Sequence, residues 1–276
     1  MEVRFPKWDF SKVRAHWAPN REFAQMQNAA SVVPAYIEPY LVKVMQRAQA
    51  ALPAKHERLH RELGIFIKQE MQHCRQHLAF NKALRATGYE GMLEIEKEYE
   101  ADYVRFLATK SLRFNCAYSE GFEAVSSVAV TNYYEEFDEF LDGADAEAVE
   151  LWKWHLAEEF EHREVAHNVY HALFGTGPIA YVYRIWAFFY AVKHLRSYVR
   201  KIQDYLLAKD REGMSALELE QSIARQKHVQ DVTARRAKEH LKVILSPFYK
   251  PARRTAPSGL QDVLDRYAKK PTVLAA

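Results

Sequence analysis

Two short stretches of the chain read Glu-x-x-His: Glu70-Met-Gln-His73 and Glu159-Phe-Glu-His162. Both fall in segments of strong helical character, where positions i and i+3 share a face, so each aims a carboxylate and an imidazole at one point. Each also has a lone acid upstream on an apolar stripe: Glu38 stands 32 residues before Glu70, and Glu120 stands 39 before Glu159. Those separations match a helix, a turn and part of an antiparallel return helix. Burying an unpaired carboxylate costs several kcal/mol, so four acids on core stripes need a partner. Two divalent metal ions would neutralise them together, with carboxylate oxygens to hold and bridge the ions and an imidazole nitrogen on each. A single Glu-x-x-His is commonly an exposed i,i+3 pair that stabilises its helix by a few tenths of a kcal/mol. Two of them with matching upstream acids point to a di-metal centre.

Other side chains on these faces extend the candidate set. His155, Glu159 and His162 stand at i, i+4 and i+7 and line one face, so His155 offers one metal a second imidazole. His77, one turn beyond His73, could do the same or support a ligand from outside. Glu123 follows Glu120 by one turn and is its rival as the third-helix ligand, and Glu158 could exchange roles with Glu159. The candidate ligands are therefore Glu38, Glu70, His73, Glu120, His155, Glu159 and His162, with His77, Glu123 and Glu158 as additional or supporting groups. Ligating imidazoles need acceptors on their other ring nitrogens, and the sequence alone does not name them.

The elements that must carry these residues read as helices throughout. Pro34 opens one that ends at Leu52-Pro53-Ala54. A second runs from about Ala54 to Thr87 and stops at Gly88. Others cover about 91–109, 111–141 and Ala146 to Leu173, with Asp145 in the turn that caps the last. Gly175-Thr176-Gly177-Pro178 breaks the chain before an aromatic helix at about 179–208, a charged one at about 215–245 and a short one at 259–268. With 9 Gly and 10 Pro in 276 residues there is little punctuation for an all-β fold, and no strand alternation stands out. The expectation is an all-α protein: a four-helix bundle over 31–175, preceded by an N-terminal extension (1–30) with Trp8 and Trp17 laid over the core. Additional C-terminal helices (176–245) and an extended tail (246–276) follow.

Two blocks carry a resemblance. Phe66 to Asn81 contains Q-E-x-x-H-x-x-x-H-x-x-x-N from Gln69 onward, and Trp152 to His162 reads W-x-W-H-x-x-E-E-x-E-H. They resemble the ferritin-like di-metal carboxylate family catalogued as predicted metal-dependent hydrolases, and weaker matches at Ser31 to Leu41 and Ala117 to Ala124 favour Glu38 and Glu120. The likeness covers about residues 30–185. It departs at Gly121, where the resemblance leads one to expect His, and at His167-Asn168, where it leads one to expect Phe-Asp. The H-x-x-x-E-x-x-H of the fourth helix is also similar to that of di-iron arylamine N-oxygenases, which implies oxygen chemistry.

The chemistry expected is that of a non-haem di-iron oxygenase or oxidase, with two iron ions (manganese as the alternative), O2 as co-substrate and a small apolar or aromatic substrate. A metal-dependent hydrolase with a di-metal-activated water is the alternative, and a non-catalytic ferritin-like iron-binding role the second alternative. No Gly-rich phosphate loop or dinucleotide fingerprint appears, so electrons for an oxygenase would come from an external donor. Net charge is +3, which gives no reason to expect nucleic acid. The aromatic run 178–192 reads as packing against the bundle, a substrate channel or a membrane-surface contact. A homodimer is a separate expectation. The basic residues from Arg235 to Arg254 read as a solvated face or loose tail. Cys74 and Cys116 suggest no disulfide framework, no stretch approaches the ~18 apolar residues of a membrane span, and MEVRFPKWDF has no secretory apolar region. A cytoplasmic setting is the expectation.

Overall fold

The computed structural model describes residues 1–268. Its helices are α1 (Arg21–Ala30), α2 (Val32–Ala51), α3 (Glu57–Arg85), α4 (Met92–Thr109), α5 (Leu112–Thr131) and α6 (Asp138–Leu141). They continue as α7 (Ala146–His162), α8 (Val165–Phe174), α9 (Pro178–Asp210), α10 (Ala216–Ala234), α11 (Ala237–Ile244) and α12 (Leu260–Tyr267). No strand occurs among the described residues. Side-chain caps start several helices where the sequence supplies them: Asn20 accepts from Phe23 N, Ser111 from Phe114 N, and Asp145 from both Glu147 N and Ala148 N.

The bundle closes as a ring: α2 packs along α3, α3 against α7 and α8, these against α5, and α5 back against α2. Its apolar interior includes Leu41, Val44, Leu63, Phe66, Tyr118 and Ala166. The long α9 crosses α5 and also touches α1 and α4. It comes close because α5 carries a glycine there: a Cβ on Gly121 would stand 3.0 Å from Phe188 Cα. A histidine at that position would push the two helices apart. On its outer side α9 leaves Ile179, Val182, Trp186 and Phe189 exposed. No helix among the described residues is long and apolar enough to cross a membrane.

Three expected elements are interrupted, each by partners distant in sequence. The helix expected over 111–141 ends at Thr131 and continues as a π-turn, Asn132–Glu136, before α6. Asn132 there donates to Thr233 O, and Glu135 and Glu136 pair with Arg236 and Arg235. Those two arginines sit where the helix expected over 215–245 divides into α10 and α11, so the two irregularities hold each other. The helix expected from Ala146 to Leu173 breaks after His162, where the Arg163 guanidinium turns to Phe160 O and Pro251 O. The segment expected as an extended tail packs down as far as it is described. Tyr249 and Pro251 are buried, and Leu260, Val263 and Leu264 of α12 join Trp154 and Phe160 in a second apolar cluster. Residues 269–276 lie outside the described residues.

Candidate metal centre

Glu38 lies about two turns into α2, directly before Pro39. Proline has no N–H, so the carbonyl one turn back, Ala35 O, loses its helical partner. The Cys74 thiol of α3 donates to that carbonyl at 3.5 Å, which ties the two helices together beside Glu38. Burial pushes the Cys74 thiol up to about 11, in keeping with a packing and hydrogen-bonding role.

Six of the expected ligands converge from three helices. Glu38 Oε1 is 3.3 Å from His155 Nε2 and 3.9 Å from His73 Nδ1. Glu159 Oε1 is 3.1 Å from His155 Nε2, 3.7 Å from His73 Nδ1 and 3.4 Å from His162 Nε2. Glu70 Oε1 is 3.2 Å from His162 Nε2. Two groups result whose ligand atoms all lie within 4.8 Å of one another, close enough to hold an ion, Glu38–His73–His155–Glu159 and Glu70–Glu159–His162, sharing Glu159. A fourth helix, α5, adds Glu123 to the second group, with Oε2 3.5 Å from His162 Nε2.

Glu120 is elsewhere. Its Oε1 accepts from Arg184 Nη1 at 3.0 Å and pairs with His167 Nδ1 at 3.0 Å. Burial pushes this carboxyl up, but His167 and Arg184 outweigh it and hold the group below its usual value. The expectation that Glu120 is the third-helix ligand is corrected on this ground: its charge is already matched, and Glu123 is the α5 acid that faces the centre.

The hydrogen bonds behind the imidazoles decide which nitrogen each turns inward. Asn81 Nδ2 donates to Ser31 O, which orients its Oδ1 to accept from Ser31 Oγ at 2.7 Å. Ser31 Oγ, having given its proton, accepts from His77 Nδ1 at 2.8 Å. His77 Nε2 is then the acceptor for His155 Nδ1 at 2.8 Å, and His155 Nε2 is left with its lone pair facing Glu38 and Glu159. His77 therefore supports His155 from outside and does not enter the ligand cluster. Glu158 behaves similarly: its Oε2 accepts from His73 Nε2 at 2.9 Å, turning the Nδ1 lone pair inward. For His162, the Gln69 amide donates to Glu161 Oε2 and Glu2 O, which leaves Gln69 Oε1 to accept from His162 Nδ1 at 3.3 Å. Trp154 packs edge-on against His73, and Phe66 against His162, so aromatic rings also fix the ring planes.

One residue closes the outer ring of both His73 and His162. Arg4 Nη1 donates to Glu158 Oε1 at 3.0 Å and to Glu161 Oε2 at 3.1 Å, Nη2 to Glu161 Oε1 at 3.2 Å, and Nε to Leu264 O at 2.9 Å. Nothing in the sequence pattern marks Arg4 or Arg184, since each acts on a partner far along the chain. Ser31, Gln69 and Asn81 stand in the stretches that carry the resemblance, where only position could have drawn attention to them.

The electrostatics fit a doubly charged guest. Both oxygens of Glu38, Glu70 and Glu123, one of Glu159, and the inward nitrogens His73 Nδ1 and His162 Nε2 are buried without a hydrogen-bond partner. Burial first, then mutual repulsion, pushes Glu38, Glu70 and Glu123 well above the usual carboxylate range. Burial, then neighbouring imidazoles, lowers His73 and His77. Buried polar groups without partners are rare and costly, and here they share one small volume. Two divalent ions would satisfy them, displacing the carboxyl protons as they enter.

Comparison with curated proteins and with solved structures finds no significant match. The chain does, however, belong to the family described as predicted metal-dependent hydrolases, whose sequence profile matches residues 2–255.

Proposed function

We propose that the protein is a metal-dependent hydrolase with a two-ion centre. Glu38, His73 Nδ1 and His155 Nε2 would hold one ion, Glu70, Glu123 and His162 Nε2 the other, with Glu159 between them. The observation that carries this reading is the set of unpartnered carboxylate oxygens and inward imidazole lone pairs in one buried volume. When bound, such a pair of ions supplies Lewis acidity: it acidifies a water and polarises the oxygen of the bond under attack. The chain's own part is to hold the donors rigid. Glu158, Gln69 and the His77–Ser31–Asn81 relay keep each imidazole in its ligating tautomer, and Arg4 keeps Glu158 and Glu161 in place. The test is turnover of aryl esters, amides and phosphoesters by manganese-, zinc- and iron-loaded protein, with and without O2. Hydrolysis that needs metal, ignores O2 and disappears in Glu159→Ala supports the reading. No turnover of any of these by fully loaded protein contradicts it.

A second reading, oxidation by O2 at an iron-loaded centre, is favoured by the donor set. Three imidazoles beside four carboxylates suit iron, and the near-complete burial of these side chains admits a small gas more readily than a bulky ester. It requires an external electron donor and predicts O2 uptake by the reduced protein.

A further inference from the structure

A pocket of about 450 Å3 opens between α8, α9 and the segment 246–252. Its size suits a small organic molecule. Tyr181, Phe248 and Tyr249 give it aromatic walls, and His167, His171 and Arg184 give it polar groups. One side of the lining is held by Arg184, which is 1% exposed, donates through Nη1 to the buried Glu120 behind it, and through Nη2 to Ile244 O at 2.6 Å. Glu120 is therefore an ionised acceptor, which assigns a proton of His167 to Nδ1; in the neutral ring Nε2 is then a lone pair. His171 Nδ1 likewise donates to Gly175 O at 2.8 Å, leaving its Nε2 as an acceptor. Glu120 precedes Glu123 by one helical turn on the same face of α5, so the Arg184–Glu120 pair connects the pocket lining to the candidate metal centre.

We propose that this pocket binds the substrate, and that it takes a small molecule with an aromatic body and a hydroxyl or amine donor, oriented by His167 Nε2. His167 Nε2 selects for the donor and the three aromatic side chains for the ring. This inference rests on the proposed function for the word substrate, but not for the binding itself.

The probes are phenol and toluene, added to metal-loaded full-length protein and followed by saturation-transfer NMR and by the ring nitrogen resonances of labelled histidine. Phenol should bind saturably and about five-fold or more tighter than toluene, the worth of one net hydrogen bond. The His167 Nε2 resonance should move with phenol and not with toluene. In His167→Phe the two probes should bind alike. Equal affinities in the native protein, a phenol advantage that survives His167→Phe, or a stationary His167 resonance would overturn the proposal. The native-protein spectra decide it even where the variant fails to fold. Metal content and ester turnover are measured on the same preparation. Hydrolysis without phenol binding would sink the pocket and leave the hydrolase, and phenol binding without hydrolysis would do the reverse.

Discussion

Replacing Arg4 with alanine perturbs the metal centre without touching a ligand. Arg4 meets Glu158, whose side chain is fully buried, and Glu161, whose side chain is 16% exposed. Removing one partner of a buried pair costs about 3–5 kcal/mol. Water can reach Glu161, so the lower end, about 3 kcal/mol, is expected here. For a chain of this size that is a fall in melting temperature of roughly 6–10 °C. The effect on metal follows from the proton count. Burial pushes the Glu158 carboxyl up to about 7 even with Arg4 beside it. Without Arg4 it rises further, and at neutral pH Glu158 becomes a protonated donor towards His73 Nε2. His73 then favours the tautomer with its proton on Nδ1, the nitrogen that should ligate. Loss of such outer support typically costs 10–100-fold in metal affinity, and the loss should fall on the Glu38–His73–His155 half. Competition with a chelator for Mn2+, alongside calorimetry of the metal-free protein, reads both effects. Arg4→Lys keeps the charge but not the fork and should fall between. A folded Arg4→Ala protein that binds two ions as tightly as the native chain would refute this reasoning.

Other outcomes follow from the same geometry. Glu123→Gln should weaken metal binding at the Glu70–His162 half by roughly ten-fold or more, by removing an anionic ligand. Glu120→Gln should keep both ions while destabilising the fold by about 3 kcal/mol through the uncompensated Arg184; chelator competition on both proteins checks the contrast. Ser31→Ala breaks the relay that sets the His155 tautomer, leaving His77 Nδ1 and Asn81 Oδ1 unpaired. A loss of about 1–3 kcal/mol in a urea titration is expected, with about ten-fold weaker metal binding. In the metal-free protein Glu38, Glu70 and Glu123 are raised above their unfolded values, so the stability they allow is full in acid and lost as pH rises through the folded values. Bound metal removes that penalty. The melting-temperature gap between loaded and metal-free protein should therefore widen as pH rises above about 4.5, and calorimetry across that range checks it.

The helices and their bundle were readable because apolar stripes of period 3.6 recur along α2, α3, α5 and α7, and because Asp145, Gly88 and Pro178 punctuate them. The breaks at Asn132–Glu136, at Arg163 and between α10 and α11 were not, because their partners come from elsewhere in the chain: Thr233 for Asn132, Pro251 for Arg163, and Glu135 and Glu136 for Arg236 and Arg235. The site divides in the same way. Glu70–His73 and Glu159–His162 announce themselves by spacing within one turn. Glu120 and Glu123 share a face, and what separates them is Arg184, 64 residues away on α9. His155 was placed ahead of His77 by its spacing on the Glu159–His162 face, and the direction of the relay through Ser31 and Asn81 gives that order a physical reason. Gly121, a departure from the resemblance, became intelligible once α9 was seen against it.

The claim that two ions share Glu159 is tested most directly by elemental analysis of the purified chain after anaerobic reconstitution with Fe2+ or Mn2+, with Glu159→Ala in parallel. Two ions per native chain, and most of that metal lost in the folded variant, is the predicted result. A native chain that retains almost no metal, or a variant that binds as much as the native protein, would contradict it.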